Sequence, residues 1–400
     1  MTEHETIPPA PSDIHLSRHL PDPAPERRWR LVDRLVVVVF CLGLVVPGLL
    51  LAAGKRSAEI ENRPLLKMPA FAIGKVLDPA FYGAIDRALS DNDPIRPYAV
   101  RLRGEAYWKL GGTGNPAVIK GVGDWLFTRE EIDAECDLSA DDITRELDEV
   151  QRAFAAAGQE FRFVLAPDKH AIYPERLDPS SPYPAPCTDA RRPQLARALD
   201  ARSAWAVNGW AALSGARAAD PAGPPLFYSQ DSHWTPLGAL AAIEPLVRTF
   251  GADLWSASDI VPGPTKRTGM ELARQMGLRR TETVASPAVR PGMTLERSVL
   301  QLPLKTSAAR NVFRIVTTGD RPVVPGVTVV IYDSFFGLNV RSVAPFFHET
   351  IWIHASDLKN HPEVGGLIGP IDRVIFERVE RGLYEARVDE LLAPLVRARG

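Results

Sequence analysis

The stretch Val327-Thr328-Val329-Val330-Ile331-Tyr332-Asp333-Ser334 decides how this chain folds. Its first six residues are β-branched or aromatic, and apolar side chains fall on both faces of an extended backbone. A strand with one wet face alternates apolar and polar residues, whereas a strand covered on both faces reads as a nearly continuous apolar run. The run therefore predicts an interior strand that stops at the turn-forming pair Asp333-Ser334.

The rest of the chain supplies partners for that strand. Phe161–Ala166, Thr350–Ile353 and Val374–Phe376 are further short apolar strands, and Leu226–Tyr228 reads as a strand entering the turn Asp231-Ser232-His233-Trp234. Ile143–Ala157 carries apolar residues at helical spacing. Thr235-Pro236 looks like an N-cap and first-turn pair opening a helix through Leu246. Val388–Ala393 looks like part of a final helix, ended or kinked at Pro394. Buried strands separated by helices predict an α/β fold with a mostly parallel sheet. Residues 254–309 are rich in Thr, Arg, Pro and Gly with weak periodicity, and read as an insertion with short strands bordering the site.

With 400 residues, 45% of them hydrophobic, a large core is within reach. A net charge of −2 gives no sign of a nucleic-acid partner. There is no C-x-x-C pair, no H-E-x-x-H and no Gly-rich phosphate loop, so no metal or cofactor is expected. Leu35–Ala53 is an apolar run without a charge, long enough to cross a bilayer. Arg27, Arg28, Arg30 and Arg34 precede it and only Lys55 and Arg56 follow closely, which predicts an N-terminus on the cytoplasmic side. A cleaved signal peptide is the rival reading, opposed by the polar head that precedes the run. The expected organisation is a disordered cytoplasmic tail over 1–30, a transmembrane anchor over 31–54, a link over 55–76 and a body over 77–400. In an exported body, Cys136 and Cys187 form either one disulfide or two free thiols.

The chemistry rests on two turns. Asp231 and His233 are two apart, so on extended backbone they point to the same side, where a carboxylate can orient an imidazole. Ser334 follows the strongest strand, and ligands in open parallel sheets bind beyond the carboxyl ends of strands. Together they are candidates for a Ser-His-Asp site, which is recognised by roles and not by chain order. The bland alternatives are a helix cap at Asp333-Ser334 and an Asx turn at Asp231. Asn339 is a candidate oxyanion helper or a structural polar residue. Trp234 either supports His233 or stacks on a sugar. Lys169 and Tyr173 either line a polysaccharide groove or are a solvated lysine and a packed tyrosine.

These residues carry a resemblance. Asp231-Ser232-His233-Trp234 with Asp333-Ser334-Phe335 resembles the alginate O-acetyltransferase family, the AlgJ/AlgX-like proteins with an SGNH-hydrolase-like domain. Glu61-Asn62-Arg63-Pro64-Leu65, Gly123-Asp124-Trp125-Leu126-Phe127, Ala166-Pro167-Asp168-Lys169 with Tyr173-Pro174-Glu175, and Val374–Arg381 follow in the family's order. The likeness spans roughly residues 59 to 385. It implies a three-layer α/β/α fold in which Ser334 is the nucleophile, His233 the base and Asp231 the orienting acid. Tyr332 stands where the family usually has Gly, which puts the substrate in question. The chain ends at Gly400, soon after the last strand pattern, which fits the AlgJ-like branch better than the AlgX-like branch with its C-terminal carbohydrate-binding module.

The expected function is a membrane-anchored O-acetyltransferase acting on an exopolysaccharide in the periplasm of a bacterium. The resemblance implies two partners, a polysaccharide acceptor and a membrane-bound O-acyltransferase that delivers acetyl through the inner membrane. A carbohydrate acetyl-esterase using the same triad, and a non-catalytic sugar-binding or scaffold subunit, are the alternatives.

Overall fold

The computed structural model describes residues 26–57, 65–75, 77–178, 187–303 and 312–397. The tail over 1–25 and the Glu61–Pro64 motif lie outside the described residues. The chain divides into two compact units, residues 1–58 with 65–96, and residues 59–64 with 97–400.

In the first unit, a helix runs over Glu26–Ala52 and keeps Pro47 inside it. It therefore begins inside the segment expected to be tail. Its apolar part, Arg30–Ala52, has a mean hydropathy of 2.9 and is unburied, so it has the length and composition to cross a membrane. A second helix, Pro79–Asn92, is capped by Asp78, whose side chain accepts from the Ala80 amide at 2.9 Å. The unit closes through Ser57, whose amide donates to the Asn92 carbonyl at 3.0 Å.

The second unit holds the rest of the chain from residue 97 on, with residues 59–64. Its strands are β1 (Val118–Lys120), β2 (Leu126–Thr128), β3 (Glu160–Ala166), β4 (Ala206–Val207), β5 (Ile260–Val261), β6 (Thr265–Gly269), β7 (Thr281–Ala285), β8 (Ala288–Val289), β9 (Thr294–Val299), β10 (Phe313–Thr318), β11 (Val324–Tyr332), β12 (Phe347–His354) and β13 (Arg373–Val379). Seven of them form the central sheet in the order β4-β3-β13-β11-β12-β10-β9. The pairs from β4 to β12 are parallel, and β10 and β9 add an antiparallel edge. That edge was not expected, because β9 is almost wholly exposed and carries a weak apolar signal.

Both faces of β11 are covered, as its composition requires. Val329 and Ile331 join the cluster built on the helices Ala140–Ala156, Ala355–Asn360 and Val388–Arg397. Val330 and Tyr332 join the opposite cluster, with the helices Gly209–Ala219 and Pro236–Arg248. The result is the three-layer α/β/α arrangement. Each fully buried aliphatic side chain on β11 contributes about 1.5–3 kcal/mol of transfer free energy. The final helix passes Pro394 and ends at Arg397, so the proline does not stop it.

From β11 the chain crosses to β12 on one side, then returns to β13 on the other. The strand order reverses at the carboxyl end of β11, which is where open α/β sheets form their ligand crevice. Residues 254–309 hold the two-stranded ribbons β5–β8 and β6–β7, but β9 belongs to the central sheet, so the segment is only partly an insertion. Cys136 and Cys187 form a disulfide that ties positions 51 residues apart.

Candidate active site

Ser334 opens a one-turn helix, Ser334–Gly337, directly after β11. Asp333 is its N-cap, and both of its carboxylate oxygens are used. Oδ1 accepts from the Phe335 amide at 2.9 Å, and Oδ2 accepts from the Val379 amide at 2.8 Å. The Asp333 amide donates to Glu377 Oε2 at 3.0 Å. The turn that presents Ser334 is thus anchored to the neighbouring strand β13, while Ser334 itself stays exposed.

Asp231 and His233 lie in the turn before the helix Pro236–Arg248. No regular strand precedes them; the expected Leu226–Tyr228 strand is a single bridge between Phe227 and Trp234. A short loop stands in for it, held from several sides. Thr235 caps the helix by accepting from the Gly238 amide. Gly238 has no side chain because a Cβ there would lie 2.1 Å from the Leu226 carbonyl oxygen. Lys169 is fully buried and donates to the carbonyls of Tyr228, Ser229 and Asp231 at 3.2, 3.3 and 2.7 Å. It supports the turn from inside instead of lining a groove. Burial pushes its ammonium down to about 8 against the pull of Glu131 and Asp231.

The fold joins the two turns. His233 Nε2 lies 2.7 Å from Ser334 Oγ, and His233 Nδ1 lies 2.7 Å from Asp231 Oδ1. The His233 amide also donates to Asp231 Oδ1 at 3.1 Å, which fixes the carboxylate to its own turn. A carboxylate at Nδ1 keeps a proton there and leaves Nε2 to face the hydroxyl. His233 and Asp231 are buried beneath an exposed serine. Burial opposes the charged imidazole, but Asp231 and Glu271 together push it up to about 9.

Of the other expected residues, Trp234 is buried, packs edge-on against Phe335 and donates its indole N–H to the Phe335 carbonyl at 3.1 Å. It supports the serine turn. Asn339 donates to the same carbonyl at 3.0 Å. The Tyr332 ring packs edge-on against Trp352 and His354, and a Cβ on Gly337 would come within 3.0 Å of it. Tyr173 accepts from the Leu226 amide at 2.8 Å and lines a cavity of about 620 Å³ with Trp125, Arg176, Arg217 and Trp255. None of Ser334, His233 and Asp231 lines that cavity.

Two acidic residues escaped the sequence reading. Glu377 is fully buried; burial, then the Asp333 carboxylate, pushes its carboxyl well above the usual range. A signal existed: a glutamate directly after Val374-Ile375-Phe376 in a buried strand is an anomaly that needs a partner. Glu271 lies 3.3 Å from His233 Nδ1, and nothing in its local sequence marks it. The facing atoms of Asp231, His233 and Glu271 fall within 4.8 Å of one another, a spacing a cation could use. Asp231 Oδ1 lies 2.7 Å from His233 Nδ1, and Glu271 Oε2 accepts from Ser232 Oγ at 2.8 Å.

Residues 118–284 match the family described as SGNH hydrolase-like domain, acetyltransferase AlgX. The segment contains Lys169, Tyr173, Asp231, His233, Trp234 and Glu271; Ser334 lies beyond it. Curated proteins named "Probable alginate O-acetylase AlgJ" are similar to part of the chain. The one from Pseudomonas syringae pv. tomato is 28% identical over 176 residues, which is 43% of this chain and 43% of that protein. The one from Pseudomonas fluorescens is 26% identical over 178 residues, 44% of each. The chain thus spans less than half the length of the curated relatives it matches. Among solved structures, the O-acetyltransferase domain of Pseudomonas putida AlgJ is similar at 18% identity and TM-score 0.43, covering 68% of this chain and 94% of that one. Bacillus cereus PatB1 with a sulfonyl adduct is similar at 12% identity and TM-score 0.44, covering 68% and 98%.

Proposed function

We propose that this chain, similar over residues 118–284 to the AlgX-type SGNH hydrolase-like domain and over less than half its length to AlgJ proteins, is an O-acetyltransferase that modifies an exopolysaccharide outside the cytoplasm. The observation that carries this reading is the unbroken path from Ser334 Oγ through the His233 ring to Asp231, with 2.7 Å at each contact.

In the first half-reaction Ser334 Oγ attacks the acetyl carbonyl of a donor ester while its proton passes to His233 Nε2. The carbonyl oxygen takes the negative charge, and the Ser334 amide is the candidate donor for it. The tetrahedral adduct collapses, the bond to the donor's oxygen or sulfur breaks, and Nε2 returns the proton to that leaving group. In the second half-reaction a sugar hydroxyl gives its proton to Nε2 and attacks the acetyl-serine. Collapse expels Ser334 Oγ, which regains the proton. Asp231 holds the ring and balances its charge at each protonated stage.

The apolar helix Arg30–Ala52, with Arg27, Arg28, Arg30 and Arg34 at its start, supports a single-pass inner-membrane anchor with the catalytic unit in the periplasm. The Cys136–Cys187 bridge suits that oxidising compartment. A membrane-bound O-acyltransferase would supply the acetyl group.

The test is acetyl transfer by the full chain from a soluble acetyl ester to an oligosaccharide, with Ser334→Ala beside it. Acetylated oligosaccharide from the native chain, absent with the alanine variant, is expected. Acetate release that no acceptor alters, with no acetylated sugar, would favour an esterase. Equal transfer by the alanine variant would sink the serine mechanism.

A further inference from the structure

A second carboxylate holds the turn that carries the base. Glu271 opens the short helix Glu271–Gln275 between β6 and β7. Its amide donates to Asp231 Oδ2 at 2.8 Å, the oxygen that the imidazole does not use. Its Oε2 accepts from Ser232 Oγ at 2.8 Å and stands 3.3 Å from His233 Nδ1. One residue from a distant segment therefore engages Asp231, Ser232 and His233 together.

We propose that Glu271 is a positioning residue for the base, sharing His233 Nδ1 with Asp231 and setting how strongly the imidazole holds the serine proton. The proposal rests on the acyl-transfer reading above. Geometry supplies two separate effects. The Glu271 amide and Asp231 Oδ2 lock the orienting carboxylate in place, which is a steric and hydrogen-bonding role. The Glu271 carboxylate adds a negative charge beside Nδ1, which favours the imidazolium that forms as the serine attacks.

His233 is faced by Asp231 and Ser232 of its own turn, by Glu271 from the β6–β7 segment, and by Ser334 and the Phe335 ring from the turn after β11. Glu271 is faced by Ser232, Gln275 and His233, and feels the Arg381 guanidinium from the end of β13. Lys169, beneath the turn, interacts with Glu131, Asp231, Glu282 and Glu271. Burial works against the Glu271 carboxylate, yet His233 and Ser232 hold its carboxyl down at about 2.

Glu271→Gln tests this, because glutamine keeps the amide, the acceptor for Ser232 and the volume while removing the charge. The readouts are NMR titration of the His233 ring in the full chain and the pH profile of kcat/KM on an acetyl ester. A neighbouring charge of this kind shifts a titration by about 1–3 units, so both midpoints are expected to fall by about 1 unit or more. At pH above both midpoints, kcat/KM is expected to drop by up to about tenfold, the equivalent of one unit of base strength. An unchanged His233 midpoint in a folded Glu271→Gln chain overturns the proposal. Should that variant not fold, Glu271→Asp keeps the amide and the charge but withdraws the carboxylate by one methylene. A smaller downward shift is then expected, and an unmoved midpoint counts equally against the proposal. Ser334→Ala separates the two ideas: if it stays active, the acyl-transfer reading fails while the ring titration still reports on Glu271.

Discussion

His233 Nε2 meets Ser334 Oγ at 2.7 Å although 101 positions separate them in the chain. The contact joins a buried ring to an exposed hydroxyl, so the hydroxyl is open to substrate and the base is shielded from water. Shielding strengthens the electrostatic coupling of the ring to its carboxylates.

Replacing Asp231 with Asn should keep the turn's shape but favour the wrong imidazole tautomer. The expected loss in kcat on an acetyl ester is about 10²–10⁴-fold, with little change in KM. Steady-state kinetics decide it, and a loss below a few fold would remove Asp231 from the mechanism.

Activity should rise with pH. The neutral imidazole is the reactive base, and its titration is raised to about 9 by Asp231 and Glu271 against the effect of burial. Because the raised value keeps the ring protonated at neutral pH, kcat/KM should fall about tenfold for each unit below the midpoint. A flat profile between pH 6 and about 9 would show that His233 is already neutral in the free enzyme.

Glu377 should tolerate an amide better than a deletion. Its carboxyl, pushed up by burial and then by the Asp333 carboxylate, accepts from the Asp333 amide at 3.0 Å. Glu377→Gln retains a donor and an acceptor, so its cost in urea unfolding is expected to stay within about 1 kcal/mol. Glu377→Ala strands the Asp333 amide and should cost about 1–3 kcal/mol, with a matching fall in activity as the Ser334 turn loosens.

Removing the cross-link should lower stability without touching the chemistry. Cys136 and Cys187 close a long segment, 51 residues apart. The double change Cys136→Ser with Cys187→Ser should cost about 2–4 kcal/mol. Thermal unfolding with and without reductant gives the comparison, and identical midpoints for native and variant chains would contradict it.

Much of the architecture was legible because it is written in local period. Val327–Tyr332 announced a doubly covered strand, and Thr235-Pro236 announced a capped helix start; the chain forms both. The antiparallel edge was not legible, since the exposed residues of β9 leave little apolar pattern to read. Lys169 misled for a related reason. A lysine normally seeks water, and three converging carbonyls together with nearby carboxylates make its burial tolerable.

The sequence alone determined elements with a strong local pattern, such as β11 and the helix Pro236–Arg248, and it placed Asp231 and His233 within one short turn. It could not determine which distant groups meet. That was decided by the sheet order, which reverses at β11 and brings the turn after it to the turn before the helix Pro236–Arg248. Glu271 reaches His233, and Glu377 reaches Asp333, only through that packing. Contacts between segments scores of residues apart arise from burying both faces of one sheet, a global balance of apolar area that no local pattern records.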